Sequence, residues 1–361
     1  MASNQLVPFD PSCANGDDWR ALHVFRRARH AEDAIDEPLM SDQEYEHALK
    51  ARLPLWQRHW WLVWHGGSII ANLSATTRRP ETPEYAEHAT YLEAWIGVLA
   101  SHQRQHLATR LLTALAQFMQ SHGKAVLSIN ARTPAGHAFL RALGAEERFL
   151  KMKNRLDLAA VDWPLMRAWS APQDVRDGRL YWEIYAGRVP FSRWEELIEP
   201  MTELLNQQPL GELEAAPMRY EMPEIRHWYQ ELDRTGGEHF MVILRQTGAA
   251  APDGEAAQPQ SAPIVGISNG EWDARSPDWV AQYLTAVSVA WRGRGLAKAL
   301  KARLIDLVRE HQLHAKWVGT YNAKSNAPML AINRRMGYAT MREIGTYQMR
   351  LAQLQARLGV Q

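Results

Sequence analysis

The sequence predicts a mixed α/β protein, with an α+β mixed sheet, that is built as two similar domains in tandem. Its 361 residues exceed the usual size of one domain and suffice for two separate cores. Residues 287–308 run from a β-branched strand through a glycine-rich turn into an apolar stripe of helical spacing. An earlier segment superposes on this one without gaps when Val98 is placed on Val287. A repeat of this length indicates domain duplication, because the units of a solenoid are far shorter.

The first half carries strand, helix and hairpin signals in that order. Gly66-Gly67 lies between two runs of strand-like pattern, which is typical of a β-hairpin. The predicted segments are a strand at 6–9, a helical stretch at 19–49 interrupted at Pro38, hairpin strands at 59–64 and 68–76, a strand at 89–100, and a closing strand at 149–158.

The second half repeats this order after a proline-containing stretch at 159–178, which is predicted to be a linker. The segment 247–263 is rich in Ala, Gly, Pro and Gln and is predicted to be a mobile loop. The other predicted segments are a strand at 179–186, a helical region at 191–234, and hairpin strands at 240–245 and 264–272. The expected domains are therefore 1–160 and 179–361, joined by a linker at 161–178.

Composition limits the classes of function. The chain has 41 Lys and Arg against 40 Asp and Glu, so no overall field favours nucleic acid or an anionic membrane. No apolar run is long enough to span a bilayer, and the N-terminus lacks a signal-peptide core. The lone Cys13 excludes an intramolecular disulfide and a cysteine-based metal site. We expect a cytoplasmic protein without a metal, either a monomer or a homodimer.

The glycine turn before the second-half helix has the properties of an anion site. The first N–H groups of a helix have no intrahelical partner, and the helix dipole adds positive potential there. Gly293 and Gly295 let the backbone approach a phosphate closely, and Arg292 and Arg294 add positive charge. The turn lacks the Lys-Ser/Thr of a P-loop, and Lys298 breaks the dinucleotide pattern. A pyrophosphate site is favoured over a plain basic turn or an RNA contact.

The pattern Arg292-x-x-Gly295-x-Ala297 resembles the acetyl-CoA loop of the GNAT superfamily of N-acyltransferases. The following strand at 317–322 and the short helix at 327–336, which ends at Gly337-Tyr338, resemble the next elements of that superfamily. This resemblance implies two tandem GNAT acyl-CoA N-acyltransferase folds with acetyl-CoA as co-substrate. The cofactor-binding residues that it implies are Val287, Ser288, Val289, Arg292, Gly293, Arg294, Gly295, Leu296, Ala297, Lys298, Asn322, Asn326 and Asn333.

The two halves differ at this loop. Where the second half has Gly293 and Gly295, the first has Arg104 and His106. A side chain at position 106 is expected to crowd the backbone where a phosphate must approach. We therefore expect the first domain to be degenerate and the second to be catalytic. A shifted loop in the first domain could still admit CoA, because Gln103 keeps one superfamily-like position.

The resemblance also defines what catalysis needs. It implies an oxyanion donor from a free backbone N–H near Val287–Val289, and we select Val289. The superfamily's acidic tyrosine is replaced by Asn333, and by Leu140 in the first half. Asn cannot supply a proton, so the acid candidates are water and the tyrosines, with Tyr321 selected. The other tyrosines considered are Tyr338 and Tyr347.

Glu271 is the best candidate base, since a strand carboxylate can deprotonate an amine if burial raises its pKa. Asp273 lies behind it, and Glu93 is its counterpart in the first half. The sequence thus favours an N-acetyltransferase that acts on a primary amine of a small molecule by direct attack in a ternary complex. The alternative is a non-catalytic acyl-CoA-binding module, which the missing tyrosine suggests. Neither hypothesis involves nucleic acid or a membrane.

Overall fold

The computed structural model describes residues 4–33, 37–247, 262–312 and 314–360. The chain divides into two compact units that are not contiguous halves. The first unit contains Met1–Leu150, Gly211–Pro217 and Glu343–Gln361, and the second contains Lys151–Leu210 and Met218–Arg342. This differs from the contiguous domains that the sequence suggests, because each unit takes a strand from the other half of the chain.

The strands and helices of the described residues are numbered here in chain order. The strands are β1 (Gln5–Phe9), β2 (Trp56–His65), β3 (Ser68–Arg78), β4 (Tyr91–Val98), β5 (Val126–Ala131), β6 (Glu146–Asp157), β7 (Leu180–Tyr185), β8 (Glu238–Gln246), β9 (Ile264–Trp272), β10 (Trp279–Val287), β11 (Trp317–Ala323) and β12 (Ala339–Arg350). The helices are α1 (Gly16–Asp33), α2 (Asp42–Lys50), α3 (Tyr85–His88), α4 (Leu107–Ser121), α5 (Pro134–Leu143), α6 (Trp163–Trp169), α7 (Gln173–Arg176), α8 (Phe191–Asn206), α9 (Met222–Thr235), α10 (Leu296–His311), α11 (Ala327–Met336) and α12 (Leu351–Leu358).

The first unit has the strand order β1-β2-β3-β4-β5-β12. β4 and β5 are parallel, whereas the other neighbouring pairs are antiparallel. The parallel pairing of β4 and β5 ends where Ala94 faces Ile129, although β4 continues to Val98. The two strands therefore separate at one end, which leaves room for a ligand between them.

The second unit has the order β6-β11-β10-β9-β8-β7 and the same parallel pair in the middle. β10 and β11 stay paired only from Trp279 to Gln282 on β10. The antiparallel pairing of β10 with β9 is irregular between Gln282 and Thr285. The pair β10–β11 thus separates at the position equivalent to the opening in the first unit.

Amphipathic helices cover these sheets with their apolar sides. α4 buries Leu107, Leu111 and Leu115 in the core of the first unit, together with Tyr347 and Met349 of β12. α10 buries Leu296, Leu300 and Leu304 in one core of the second unit, which Trp169 of α6 also joins. A separate core of the second unit lies under α8 and α9.

Most of the predicted elements are found, with two differences. The hairpin around Gly66-Gly67 and the helix at 327–336 are confirmed. The predicted linker at 159–178 instead contains α6 and α7, because Asp162 caps a helix that has apolar residues to bury. The predicted helical region at 191–234 is interrupted at 207–221. The predicted mobile loop at 247–263 falls mostly on 248–261, outside the described residues.

In the described part of the chain, no helix is long and apolar enough to cross a membrane.

Candidate functional site

The glycine turn of the second unit has the backbone geometry expected of an anion site. Val289–Trp291 form a 3₁₀ turn after β10, and Gly293 and Gly295 have φ of 79° and 77°. Gly295 is the N-cap of α10, and in the described structure no side chain caps that helix. The first amides of α10 therefore lack a side-chain acceptor.

The charged side chains of this turn contact other parts of the second unit. Arg292 donates to the carbonyl of Val287 and to Gln207. Arg294 lies 3.3 Å from Asp174 of α7. Lys298 lies over the ring of Trp169, and its Cε is 2.9 Å from the position that a Cβ on Gly295 would take. The α6–α7 segment thus engages the cations around this turn.

The equivalent turn of the first unit has the same backbone conformation without glycine. Arg104 and His106 have φ of 62° and 58°, which is the left-handed region of Gly293 and Gly295. His106 is the N-cap of α4, as Gly295 is of α10. The side chains of Gln103, Arg104 and His106 are exposed. The turn before α4 therefore has the conformation of the turn before α10, although Arg104 and His106 stand where the second unit has glycines. A non-glycine residue in this conformation costs about 1 kcal/mol or more of backbone strain.

A cavity of about 520 Å³ lies beside this turn in the first unit and is called the loop cavity here. It extends from the turn along the first residues of α4 to α5. Leu140, at the position of the superfamily's tyrosine, forms part of its wall. Its lining includes Val98, Gln103, His106, Gly136, Phe139 and Leu140.

A second cavity of the first unit, of about 380 Å³, adjoins the loop cavity and is called the α1 cavity here. It is lined by residues of α1, by the end of β4 and by the end of β5. Both cavities are lined by the same five residues at their junction, namely Arg29, Ile96, Asn130, Thr133 and Gly136. These shared residues lie around the point where β4 and β5 separate, which is called the junction of the two cavities here.

Asn130 is held in place at this junction. Its amide nitrogen donates to Glu93 Oε1 at 2.8 Å, and its amide oxygen accepts from Thr346 Oγ1 at 2.7 Å. Glu93 is exposed on β4 at the end of the parallel pairing, where it faces Ser128. The Glu93 carboxylate is thus linked to the junction of the two cavities through the side-chain amide of Asn130.

In the second unit, aromatic side chains fill the region under α8 and α9. Trp194 and His239 are both fully buried, and their rings stack at 6.0 Å. Tyr229 and Asn269 contact the two ring nitrogens of His239, and burial lowers the pKa of His239 to about 3. Asn269 also accepts a hydrogen bond from the amide of Leu284, inside the irregular part of β10. This backbone amide therefore has a partner within the unit.

The three predicted catalytic groups of the second unit are not gathered at one point by any contact observed among the described residues. Glu271 accepts hydrogen bonds from Trp228 Nε1 at 2.6 Å and from Tyr283 OH at 3.0 Å, and burial raises its pKa. Tyr321 is 49% exposed and lies under Lys151. Val289 is 65% exposed.

The oxyanion donor expected near Val287–Val289 stays a prediction, and the irregular pairing of β10 lies earlier in the strand. Val287 still pairs with Gly266 of β9, and the irregularity lies between Gln282 and Thr285. β10 thus returns to regular pairing with β9 before it reaches Val287. Nothing in the residue pattern of β10 marks the bulge.

The predicted asparagines have separate roles. Asn326 accepts from the amide of Met329 at 3.2 Å and thus caps α11. Asn333 donates to Asn322 Oδ1 at 2.6 Å, and Asn154 of β6 donates to the same oxygen at 3.2 Å. Asn333 Oδ1 is buried without a hydrogen-bond partner among the described residues. Asn322 and Asn333 therefore belong to a buried amide network of the second unit.

Sequence reasoning missed the residues that line the α1 cavity, above all Arg26, Arg29, Asp33 and Arg132. The available signal was the basic run in the first helix, which resembles an ordinary solvated helix face. Within the described residues, no group of three His, Cys, Asp or Glu side chains could hold a metal ion.

Residues 25–145, all in the first unit, match the family model described as Acetyltransferase (GNAT) family. The chain is similar to the structure of a tandem GNAT protein from the clavulanic acid biosynthesis pathway, solved without AcCoA. That likeness covers 97% of this chain and 99% of that one, with 18% identity and a TM-score of 0.66. A GCN5-related N-acetyltransferase from Sphaerobacter thermophilus is 16% identical over 96% of each chain, with a TM-score of 0.63. No curated protein sequence matches the chain.

Proposed function

Since residues 25–145 belong to the GNAT acetyltransferase family and the chain has the tandem GNAT fold, we propose that it is an acyl-CoA-dependent N-acyltransferase. The acceptor is a primary amine of a small molecule, and the acyl group passes to it directly in a ternary complex. We place this reaction in the first unit. The observation that carries the proposal is the junction of the loop cavity and the α1 cavity at the separation of β4 and β5.

The loop cavity suits acyl-CoA. The turn before α4 offers unpaired helix amides and the side chains of Gln103, Arg104 and His106 to the pyrophosphate. A wall of Phe139 and Leu140 suits the pantetheine chain, and the volume lies in the range of ordinary ligand sites. Acyl-CoA supplies the thioester that is attacked.

The α1 cavity then holds the amine at the junction. The amine nitrogen forms a bond to the acyl carbon, the carbon–sulfur bond breaks, and the sulfur leaves as the CoA thiolate. The proton of the amine passes to Glu93 through water, while Asn130 orients the Glu93 carboxylate. Leu140 cannot donate a proton, so water protonates the thiolate.

The sequence-based assignment of catalysis to the second unit stays a prediction, and a reciprocal pair of variants tests it. His106→Glu places a carboxylate at the turn before α4, and Gly295→Glu places one at the turn before α10. The unit that binds acetyl-CoA should lose affinity by about 2 kcal/mol or more, from repulsion of the pyrophosphate and lost amide contacts. Calorimetric titration with acetyl-CoA measures this loss in the folded full-length protein.

We expect His106→Glu to weaken binding and Gly295→Glu to leave it unchanged. His106→Gln and Gly295→Gln are the matched controls, because Gln has nearly the size and shape of Glu without its charge. If Gly295→Glu alone weakens binding, the second unit is the acyl-CoA site and the placement in the first unit is wrong. If neither wild type nor controls bind acetyl-CoA, the proposed function itself fails.

A non-catalytic acyl-CoA-binding module is a second candidate, because the usual tyrosine is replaced by Leu140 in the first unit and by Asn333 in the second. The two candidates differ in CoA release. An enzyme releases CoA thiol from acetyl-CoA faster when an acceptor amine is added, whereas a module binds acetyl-CoA tightly without amine-dependent release.

A further inference from the structure

We infer that the acceptor of the α1 cavity is a small primary amine that also carries a negatively charged oxyacid group, a carboxylate or a phosphate. The inference rests on the proposed function and specifies its substrate class. It follows from the arginines that line the cavity and from the way in which the acidic residues beside them are already engaged.

Three arginines line the cavity, from α1 and from the residue that follows β5. Arg26 donates to the carbonyl of Met40 and to Asp42, each at 2.6 Å. Its Nε is buried and has no hydrogen-bond partner within the described residues. A buried N–H without an acceptor costs free energy. Because this Nε has almost no accessible surface, Arg26 adds positive charge to the cavity wall rather than a hydrogen bond that a ligand could accept.

Arg132 has more donor groups than partners. Among the described residues, its guanidinium bonds only to Asp33, at 2.9 Å. About a third of its side chain is exposed. A guanidinium has five N–H donors in a planar fork, which matches the two oxygens of a carboxylate or phosphate. Arg132 also lies two residues after Asn130 and so follows the junction directly along β5.

The acidic residues of the cavity offer little to a cationic ligand. Asp33 is buried between Arg29 and Arg132 and bonds to both guanidinium groups. Glu37 also has a partner. Asp42, behind Arg26, pairs with both Arg26 and Arg27. Because Asp33 and Asp42 are matched by arginines, a polycationic acceptor would find few unmatched carboxylates among the described residues of the wall.

The remaining wall limits the size of the acceptor. Phe25, Tyr45 and Trp95 provide apolar and aromatic surface. The volume of about 380 Å³ is near the lower end of ordinary ligand sites. An amine with its anionic group a few bonds away would place the nitrogen at Asn130 and the anion among the arginines. Amino acids and amino phosphates have this form.

The test measures the release of CoA thiol from acetyl-CoA by the full-length protein with matched amines. The pairs are L-phenylalanine against L-phenylalaninamide and phenethylamine, and 2-aminoethyl phosphate against ethanolamine. We expect kcat/KM to favour an anionic member by about tenfold or more, which corresponds to about 1.4 kcal/mol. The pair with the larger preference distinguishes carboxylate from phosphate.

Arg132→Gln should reduce that preference to near one through a higher KM for the anionic amine, with the neutral amine unaffected. Arg132→Lys keeps the charge without the fork and should retain part of the preference. Arg52→Gln is the control, because Arg52 is 73% exposed and lies outside both cavities. Acetyl-CoA affinity, measured by titration, should be equal in all these variants.

Equal kcat/KM values for the charged and neutral members of both pairs would overturn the inference. So would a protein that binds acetyl-CoA but releases no CoA with any of these amines. A protein that does not bind acetyl-CoA would instead overturn the proposed function, so the two failures are distinguishable.

Discussion

At the scale of single residues, two glutamates compete for the role of base. Glu93 is exposed and linked to the junction of the two cavities through Asn130. Glu271 is held by Trp228 and Tyr283, and burial raises its pKa, as a base for an amine requires. Its hydrogen-bond donors, however, are two aromatic side chains, of which Tyr283 is 48% exposed. The link to the junction favours Glu93 as the base, whereas the raised pKa of Glu271 favours Glu271.

Glu93→Gln and Glu271→Gln separate these alternatives. Removal of a general base lowers turnover by ~10²-fold or more. We expect that loss for Glu93→Gln, and near wild-type turnover for Glu271→Gln, with acetyl-CoA affinity unchanged in both. Steady-state rates on an acceptor that the amine panel identifies would check this. A large loss in Glu271→Gln alone would return catalysis to the second unit.

At the scale of elements, the packing of α10 on β10 includes a buried cation. Lys301 of α10 is 1% exposed, and its Nζ donates to Gln282 Oε1 of β10 at 2.5 Å. Tyr338 OH donates to the same oxygen at 2.9 Å. Burial lowers the pKa of Lys301 to about 7. The helix thus carries a lysine that is largely uncharged above neutral pH.

This lowered pKa predicts a pH-dependent stability. Between pH 7 and the ordinary lysine value of 10.5, the unfolded chain binds a proton at this position that the folded chain does not. The free energy of unfolding should therefore rise with pH in this window, by at most about 1.4 kcal/mol per pH unit. Lys301→Met should remove this rise, since Tyr338 still satisfies Gln282. Urea unfolding of both proteins across the window measures it.

Lys316→Met is the matched control, because the Lys316 side chain is 64% exposed and pairs with Asp278 on the surface. Its stability curve should run parallel to that of the wild type. If the free energy of unfolding of Lys301→Met changes with pH in parallel with that of the wild type, Lys301 stays protonated in the folded protein.

The helices and strands were largely predictable from the sequence, but the contacts and backbone conformation of the candidate-site residues were not. α11 begins at a capping Asn326 and ends at Gly337, and both signals are local. The engagement of Lys298 by Trp169 and of Arg294 by Asp174 joins residues far apart in the chain. His106 adopts the conformation of a glycine, which its residue type does not indicate. Arg29 of α1 and Arg132, which follows β5, are brought to the same carboxylate of Asp33 only by folding.

At the scale of the whole molecule, each unit depends on a strand from the other half of the chain. β12 pairs with β5 along six residue pairs, from Gly345 facing Ala131 to Arg350 facing Val126. β6 pairs with β11 in the second unit. A run of alternating residues predicts a closing strand but does not say which sheet it joins, so the exchange could not be predicted.

Separate expression of the two halves tests this dependence. A fragment of residues 1–160 lacks β12, so β5 would have an open edge and Tyr347 and Met349 would be missing from the core. We expect this fragment and the fragment 161–361 to be unfolded or aggregated alone, by circular dichroism and gel filtration. A fragment of residues 1–160 that unfolds cooperatively with the same Tm as the full chain would contradict the expectation.

The exchanged β12 also sets the order of events during synthesis on the ribosome. Domains generally fold as they emerge, starting from the N-terminus. Here β1 to β5 leave the exit tunnel long before β12, which follows every segment of the second unit. The nascent first unit must therefore wait with one edge of its sheet open, where chaperones could bind.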